Sequence, residues 1–260
     1  MSEPQAGAQR HGRITAITSG KGGVGKTFLS ANLAAALSRQ GERVLVLDAD
    51  LGLANLDVVL NLFPKITLHD VFTGRSSVDD AILVGPGGYS VLLAGSGMVE
   101  YSRLTPEVRD QLQQVIDEVA PRFDRVLLDT GAGISDVVLY TVSLAQQVLV
   151  VATPEPTSLT DAYATIKVLA MTQQRYRLQL VVNQVRKAGE GRAVRQQLQT
   201  VIDRYVSPTL PEPVTIELVG EVPIDPSVRE AVLKRELLMN RNPRAPAAQA
   251  LNLLGNRLRA

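Results

Sequence analysis

The sequence contains no cysteine. That excludes disulfides, zinc ribbons, thiol catalysis and cysteine-ligated iron–sulfur clusters. It also lacks a strong charge of either sign. Lys and Arg number 27 and Asp and Glu 26, a formal net of +1, so no global field draws the chain to nucleic acid. No apolar run follows Met1, and the first twelve residues are small and polar. No signal peptide is expected. The longest apolar stretches, such as QQVLVVATP at 146–154, fall far short of the roughly 20 residues that cross a bilayer. A soluble protein is expected. There is no internal repeat and no low-complexity linker.

What remains is a chain of 260 residues, 45% hydrophobic, long enough to bury a large sheet. Short runs rich in Val, Leu and Ile recur at 13–19, 43–48, 89–95, 125–129, 147–153, 178–183 and 216–223. Several are continuously apolar rather than alternating, as in parallel strands covered on both faces. Amphipathic stretches lie between them. Leu29, Leu33 and Leu37 share one helical face. Thr105 precedes a helix with proline and acids in its first turn. Residues 157–171 place Leu159, Ala162, Ile166 and Leu169 on one side, and further helices are expected at 191–206 and 245–259. Strands alternating with helices predict an α/β fold: a single doubly wound, mainly parallel β-sheet flanked by helices. PTLPEPV at 208–214 reads as a stiff loop, not a domain boundary.

Residues 20–27 spell GKGGVGKT, which fits the phosphate-binding pattern G-x-x-x-x-G-K-[ST]. Gly20, Gly22, Gly23 and Gly25, with Lys21 and Val24 between them, let backbone N–H groups face phosphate oxygens with no Cβ in the way. Lys26 supplies a charge to the β- and γ-phosphates, Thr27 a hydroxyl ligand for Mg²⁺, and the helix start a positive dipole end. The loop follows an expected strand and opens an expected helix, so pattern and context agree. Such a site also needs acids at strand ends. Asp48 and Asp50 in VLVLDAD and Asp129 in RVLLDTG meet that need. A lone acid there is commonly a helix cap; three beside a phosphate loop point to a metal and water site.

KGGVGKT with a lysine at its start resembles the deviant Walker A motif of the MinD/ParA ATPases. VLVLDADLGLANLDVVLNL resembles the segment after their second strand. PEPTSLTDAYATIKVL at 154–169 and GEVPIDPSVREAV at 220–232 are similar to the flagellar branch, FlhG, also called FleN or YlxH. The resemblance runs from about Ile14 onward. It implies a P-loop ATPase domain over 13–260, preceded by a flexible tail over 1–12. It further implies ATP and Mg²⁺, slow hydrolysis stimulated by dimerisation or a partner, and a homodimer formed with ATP. Lys21 would reach the partner subunit's phosphates while Lys26 binds those of its own. Asp50 would position the attacking water. Asp48 would support the magnesium shell or the switch region, and Asp129 would be the Walker B-like acid that acts on Mg²⁺ through water. Asn183 would read adenine, with the backbone around Pro223 and Asp225 lining the base. His11 and His69 lie outside these motifs and read as surface residues.

Two positions depart from the family. Gly131 stands where relatives often carry proline or alanine, which would loosen the turn after Asp129, and Phe28 replaces a smaller residue. The tail keeps Gln5, Ala6 and Arg10 of an activating motif D-Q-A-x-x-L-R but has Pro4 and Gln9 at its other fixed places, so activation of an FlhF-like GTPase is only weakly indicated. The last helix carries Ala248, Leu251, Leu254 and Leu258 at helical spacing with Arg257 and Arg259. That pattern suits either core packing or a peripheral contact with the inner face of the cell membrane.

The first functional reading is a cytoplasmic, ATP-driven regulator of flagellar placement or number, acting on an FlhF-like GTPase, a flagellar transcription regulator or a basal-body protein. The competing readings are a ParA-type partition or cargo-positioning ATPase that binds DNA nonspecifically, and a MinD-like division-site regulator. From Val181 onward twelve Lys and Arg outnumber eight Asp and Glu. Arg186, Lys187, Arg192 and Arg195 are the candidates for a DNA face, against solvated loop charge. Nitrogenase-reductase-like and iron–sulfur scaffold ATPases need cysteines, and duplicated arsenite-pump ATPases need a second phosphate loop; this chain has neither.

Overall fold

The computed structural model describes residues 12–52, 55–95, 101 and 103–259. The tail motif at positions 4–10 and His11 therefore lie outside the described residues. In chain order the elements are β1 (Arg13–Ser19), α1 (Lys26–Arg39), β2 (Val44–Ala49), α2 (Leu56–Leu60), α3 (Leu68–Phe72), α4 (Val78–Ala81), β3 (Ile82–Val84) and β4 (Ser90–Leu92). They continue with α5 (Pro106–Val119), β5 (Arg125–Ala132), α6 (Asp136–Ser143), β6 (Gln147–Ala152), α7 (Pro156–Gln173), β7 (Arg177–Val185), α8 (Glu190–Tyr205), β8 (Thr215–Pro223), α9 (Pro226–Leu233), α10 (Leu238–Arg241) and α11 (Pro246–Arg259).

Among the described residues, eight strands form one sheet in the order β3-β4-β2-β5-β1-β6-β7-β8. Every neighbouring pair is parallel except β3 with β4. The chain moves from β1 out to β2 and β4, returns to place β5 between β2 and β1, and then crosses to β6 on the other side of β1. Parallel sheets bind ligands outside the carboxyl ends of strands where this reversal occurs. The ends of β1, β2 and β5 meet there.

Side-chain alternation sorts the core into two layers. Leu45, Leu47, Ala49, Val126 and Leu128 point into one, beneath α3 to α8. Val44, Val46 and Leu127 point into the other, beneath α1, α2 and α9 to α11. The same parity carries Asp48 and Asp129 to the α1 side at the strand ends.

Helix α1 is buried on all sides from Leu29 to Leu37, not on the single leucine face its spacing suggests. The sheet lies under it and α11 packs over it. Ala31, Ala34, Ala35 and Ala36 let both neighbours approach.

Helix α11 closes the fold against α1 and β8. Ala248, Leu251, Leu254 and Leu258 are 0 to 2% exposed, so the stripe that suited either a core or a membrane surface is core. Its end is pinned as well. The Leu258 carbonyl accepts hydrogen bonds from Arg125 Nη2 at 2.9 Å and Arg13 Nη1 at 3.1 Å. Arg125 and Arg259 share Glu42, at 3.0 and 3.2 Å. Arg195, one of the four candidate DNA contacts, donates from Nε to the Ile216 carbonyl on the outer strand β8 at 2.8 Å. Among the described residues no helix is long and apolar enough to cross a membrane.

Candidate functional site

The phosphate loop leaves β1 at Ser19 and enters α1 at Lys26. Its shape needs glycine at two points. Gly23 has φ 78° and Gly25 φ 93°, a region that side chains disfavour. A Cβ at Gly22 or Gly23 would meet nothing within 4 Å, so that side of the loop faces open space. Gly20 is packed instead: a Cβ there would stand 2.2 Å from the Asp161 carbonyl oxygen of α7. Val24 is buried and anchors the loop's tip.

Lys26 is buried and its ammonium donates to Ser19 Oγ at 2.9 Å. Burial lowers its pKa, while Asp129 and Asp50 pull the other way. Its charge is thus under-compensated in a closed site, which favours an anion. The Ser19 hydroxyl in turn donates to the Lys21 carbonyl at 2.7 Å, fixing the first bend of the loop.

Asp48 and Asp129 are register partners on β2 and β5. Burial pushes Asp48 well above the usual carboxylate range, and neighbouring Asp129 adds to it; the amides of Asp50 and Leu56 oppose. Burial raises Asp129 to about 6 against hydrogen bonds from Ser30 and Thr27 and the charge of Lys26. Ser30 Oγ donates to Asp129 Oδ1 at 2.8 Å. Two buried carboxylates beside a threonine hydroxyl form a hard-oxygen donor set. That set fits Mg²⁺, and a divalent cation would hold both acids ionised.

A cleft of about 630 Å³ opens beside these groups, with Gly22, Gly23, Lys26, Thr27, Asp50 and Gly131 among its lining residues. Gly131 lies within β5, not in a loosened turn. A Cβ there would stand 3.2 Å from Asp50 Oδ1, so the missing side chain leaves room for that carboxylate. A second cleft of about 420 Å³ adjoins the first. Gly25, Phe28, Asn183, Pro223, Ile224 and Asp225 are among its lining residues, so the segments expected around a base do come together. Asp225 caps two helices: its carboxylate accepts from Ser227 N at 2.9 Å and Ala247 N at 3.1 Å. Burial would raise its pKa, but these amides hold it below the usual range.

Lys21 points out of this cleft. Its ammonium donates to Thr157 Oγ1 at 2.8 Å and pairs with Glu155 at 3.3 Å, at the start of α7. Ser19, Ser30, Glu155 and Thr157 were not evident as site residues in the sequence. The last two lie more than 130 positions from Lys21. His69 is half-buried and set edge-on against Tyr101, rather than at the surface.

Comparisons with known proteins found a matching family model and similar chains. Residues 15–238 match the CobQ/CobB/MinD/ParA nucleotide binding domain. The chain is 41% identical over 254 residues to the antiactivator FleN of Pseudomonas aeruginosa, covering 98% of this chain and 89% of that one. It is 31% identical to the flagellum site-determining protein YlxH of Helicobacter pylori, over 95% of this chain and 81% of that one. The septum site-determining protein MinD complexed with Mg-ADP from Pyrococcus horikoshii superposes with a TM-score of 0.74 at 28% identity, covering 95% of each chain.

Proposed function

The chain belongs to the CobQ/CobB/MinD/ParA nucleotide-binding family, and on that premise we propose that it is an ATP-hydrolysing dimerisation switch regulating the placement or number of flagella. The likeness to FleN and YlxH supports the flagellar role, and the likeness to a MinD holding Mg-ADP supports the ligand. Partners of matching kind are an FlhF-like GTPase, a flagellar transcription regulator or a basal-body protein. ATP as substrate puts the work in the cytoplasm.

The residues divide the chemistry between them. The loop amides and Lys26 hold the β- and γ-phosphates. Thr27, with Asp48 and Asp129 through water, would hold Mg²⁺, which when bound neutralises charge on the phosphates. Asp50, in the cleft beside Gly131, orients the attacking water in line with the γ-phosphate. Catalysis is positioning and charge stabilisation. With Lys21 absent from its own cleft, the monomer lacks one cation, and turnover is slow until a second copy supplies it.

The observation that carries this reading is the place of Lys21. It sits on the outer lip, partly exposed, and among the described residues its ammonium is held by the exposed Glu155 and Thr157, contacts it can exchange for another copy's phosphates. Light scattering after size exclusion tests it. With ATP and Mg²⁺ the 28.0 kDa chain should double in mass. Lys21→Ala should still bind ATP yet stay monomeric; normal dimers in that variant would sink the proposal. ATP-dependent, salt-sensitive binding to random DNA would move the reading to a partition ATPase.

A further inference from the structure

We propose that helix α8 and Arg257 seal the outer edge of β8 against strand addition by a second copy of this chain, so that copies meet at the nucleotide cleft and not edge to edge. The seal stands on bonds at this edge; its purpose rests on the ATP-switched dimerisation proposed above.

A sheet edge presents a row of backbone donors and acceptors to any strand that comes alongside. Among the described residues this sheet ends at β3 and β8. Strand β3 is three residues long, too short to template much pairing. Strand β8 runs for nine residues and has β7 on one side only. Thr215 N donates to the Tyr176 carbonyl, so residue 215 faces β7. By the alternation of a parallel ladder, the backbone groups of Val214, Ile216 and Leu218 face outward.

Side chains take up those groups. Gln199 uses both ends of its amide: Nε2 donates to the Val214 carbonyl at 2.7 Å, and Oε1 accepts from Ile216 N at 2.9 Å. Ser207 Oγ accepts from Val214 N at 3.2 Å. Arg195 Nε donates to the Ile216 carbonyl at 2.8 Å. Past Leu218 the register shifts, and Arg257 Nη1 of α11 donates to the Val219 carbonyl at 2.9 Å. The spacing on α8 suits this task. Gly191, Arg195 and Gln199 stand four apart and share one face, so the helix lies along the strand. At its start a Cβ on Gly191 would be 2.3 Å from Glu221 Oε1, and that oxygen accepts from Arg192 N at 3.1 Å. Between the bonds of Arg195 and Arg257 lies Leu218, beside a groove of about 460 Å³ that Leu253 and Leu254 of α11 also line. One residue offers one N–H and one carbonyl, too few to hold a strand. The ladder to β7 uses the inward-facing groups and does not need these bonds. A chain whose association answers to ATP does need them, because edge pairing would join copies with no nucleotide bound.

The double variant Arg195→Ala/Gln199→Ala frees the Ile216 N–H and the carbonyls of Val214 and Ile216. Light scattering and hydrogen exchange on the nucleotide-free full chain, across a concentration series, read the outcome. Wild type should stay at 28.0 kDa. The variant should at least double in mass as concentration rises. Its Ile216 amide should exchange about fivefold faster than wild type when dilute, the scale of one lost hydrogen bond, and slow again as copies associate. A cooperatively melting variant that stays monomeric at every concentration would overturn the seal and leave these bonds as anchors of α8. Association that slows exchange elsewhere and not along β8 would overturn it as well. If the double variant does not melt cooperatively, Gln199→Ala alone frees the Ile216 amide and is read the same way. The wild-type mass with ATP and Mg²⁺ is measured alongside: failure to double would sink the dimerisation switch, while the nucleotide-free samples still decide the seal.

Discussion

Asp48 and Asp129 face each other across neighbouring parallel strands, and both are buried, at 1% and 2% exposure. Burial raises Asp129 from 3.8 to about 6. Between those values the folded chain keeps a proton that the unfolded chain releases. More protons on the native state mean that stability falls as pH rises through this window and levels off above it. Asp129→Asn removes the ionisation. Without Mg²⁺ it should be more stable than wild type at pH 7.5, by about 1–3 kcal/mol, with the gain vanishing near pH 4. Urea midpoints across pH measure this, and a gain that persists at pH 4 would contradict it.

The contact of Lys21 with Glu155 and Thr157 competes with any reach toward a second copy. Both members of the ion pair are exposed, at 39% and 58%, so it adds little to stability. Glu155→Ala should leave the melting temperature unchanged. It should lower the protein concentration at which half the chain is dimeric with ATP by about two- to fivefold, the scale of one surface pair. Light scattering across concentrations reads it; weaker dimers would show that Glu155 orders Lys21 rather than detains it.

Asp129 and Glu155 differ in how far the sequence shows them. The central strands were legible because their two-sided burial writes continuous runs of Val, Leu and Ile. Strand β3 was not: Ile82–Val84 is three residues at the edge and antiparallel, too short for any period. Helices α2, α3 and α4 are also short, at five, five and four residues, although Thr67 with Asp70 and Ser77 with Asp80 form capping boxes that mark two of them. In the site, the phosphate loop and the three acids follow a local pattern, and the structure gathers them at the carboxyl ends of the interior strands β1, β2 and β5. Ser30 and Glu155 act through contacts spanning 99 and 134 positions, and no local pattern encodes those. Asn183 was legible as a position, but its bond to the Val24 carbonyl depends on the slip in the β7–β8 register after it.

Gly131 can be tested directly because its φ lies outside the left-handed region among the described glycines, so alanine fits the backbone. The added methyl would stand 3.2 Å from Asp50 Oδ1 and 3.3 Å from its Cγ, closer than van der Waals contact, and would displace the carboxylate. A shift of well under an ångström in a water-orienting group costs about tenfold in rate. Gly131→Ala should therefore lower kcat by about that factor and leave KM for ATP within about twofold. Phosphate release measures both. An unchanged kcat would mean that Asp50 gives way without consequence or plays no part in turnover.

The closing helix α11 separates a core role from a membrane role. Leu254 is 1% exposed and lies against β8 at Gly220, where a Cβ would be 3.2 Å from Leu254 Cδ1. Truncating a leucine so enclosed leaves a cavity the neighbours cannot fill. Leu254→Ala should therefore cost about 2–4 kcal/mol in urea unfolding. A helix that docks on lipid through the same stripe would behave differently. It would have to give up the bonds from Arg13 and Arg125 to the Leu258 carbonyl before offering its leucines to a bilayer. The truncation would then weaken vesicle binding with little loss of stability. Sedimentation with anionic phospholipid vesicles, with and without ATP, completes the comparison. A large drop in stability with no ATP-dependent pelleting of the wild type places the stripe in the core; pelleting that Leu254→Ala abolishes at unchanged stability would assign it to the membrane.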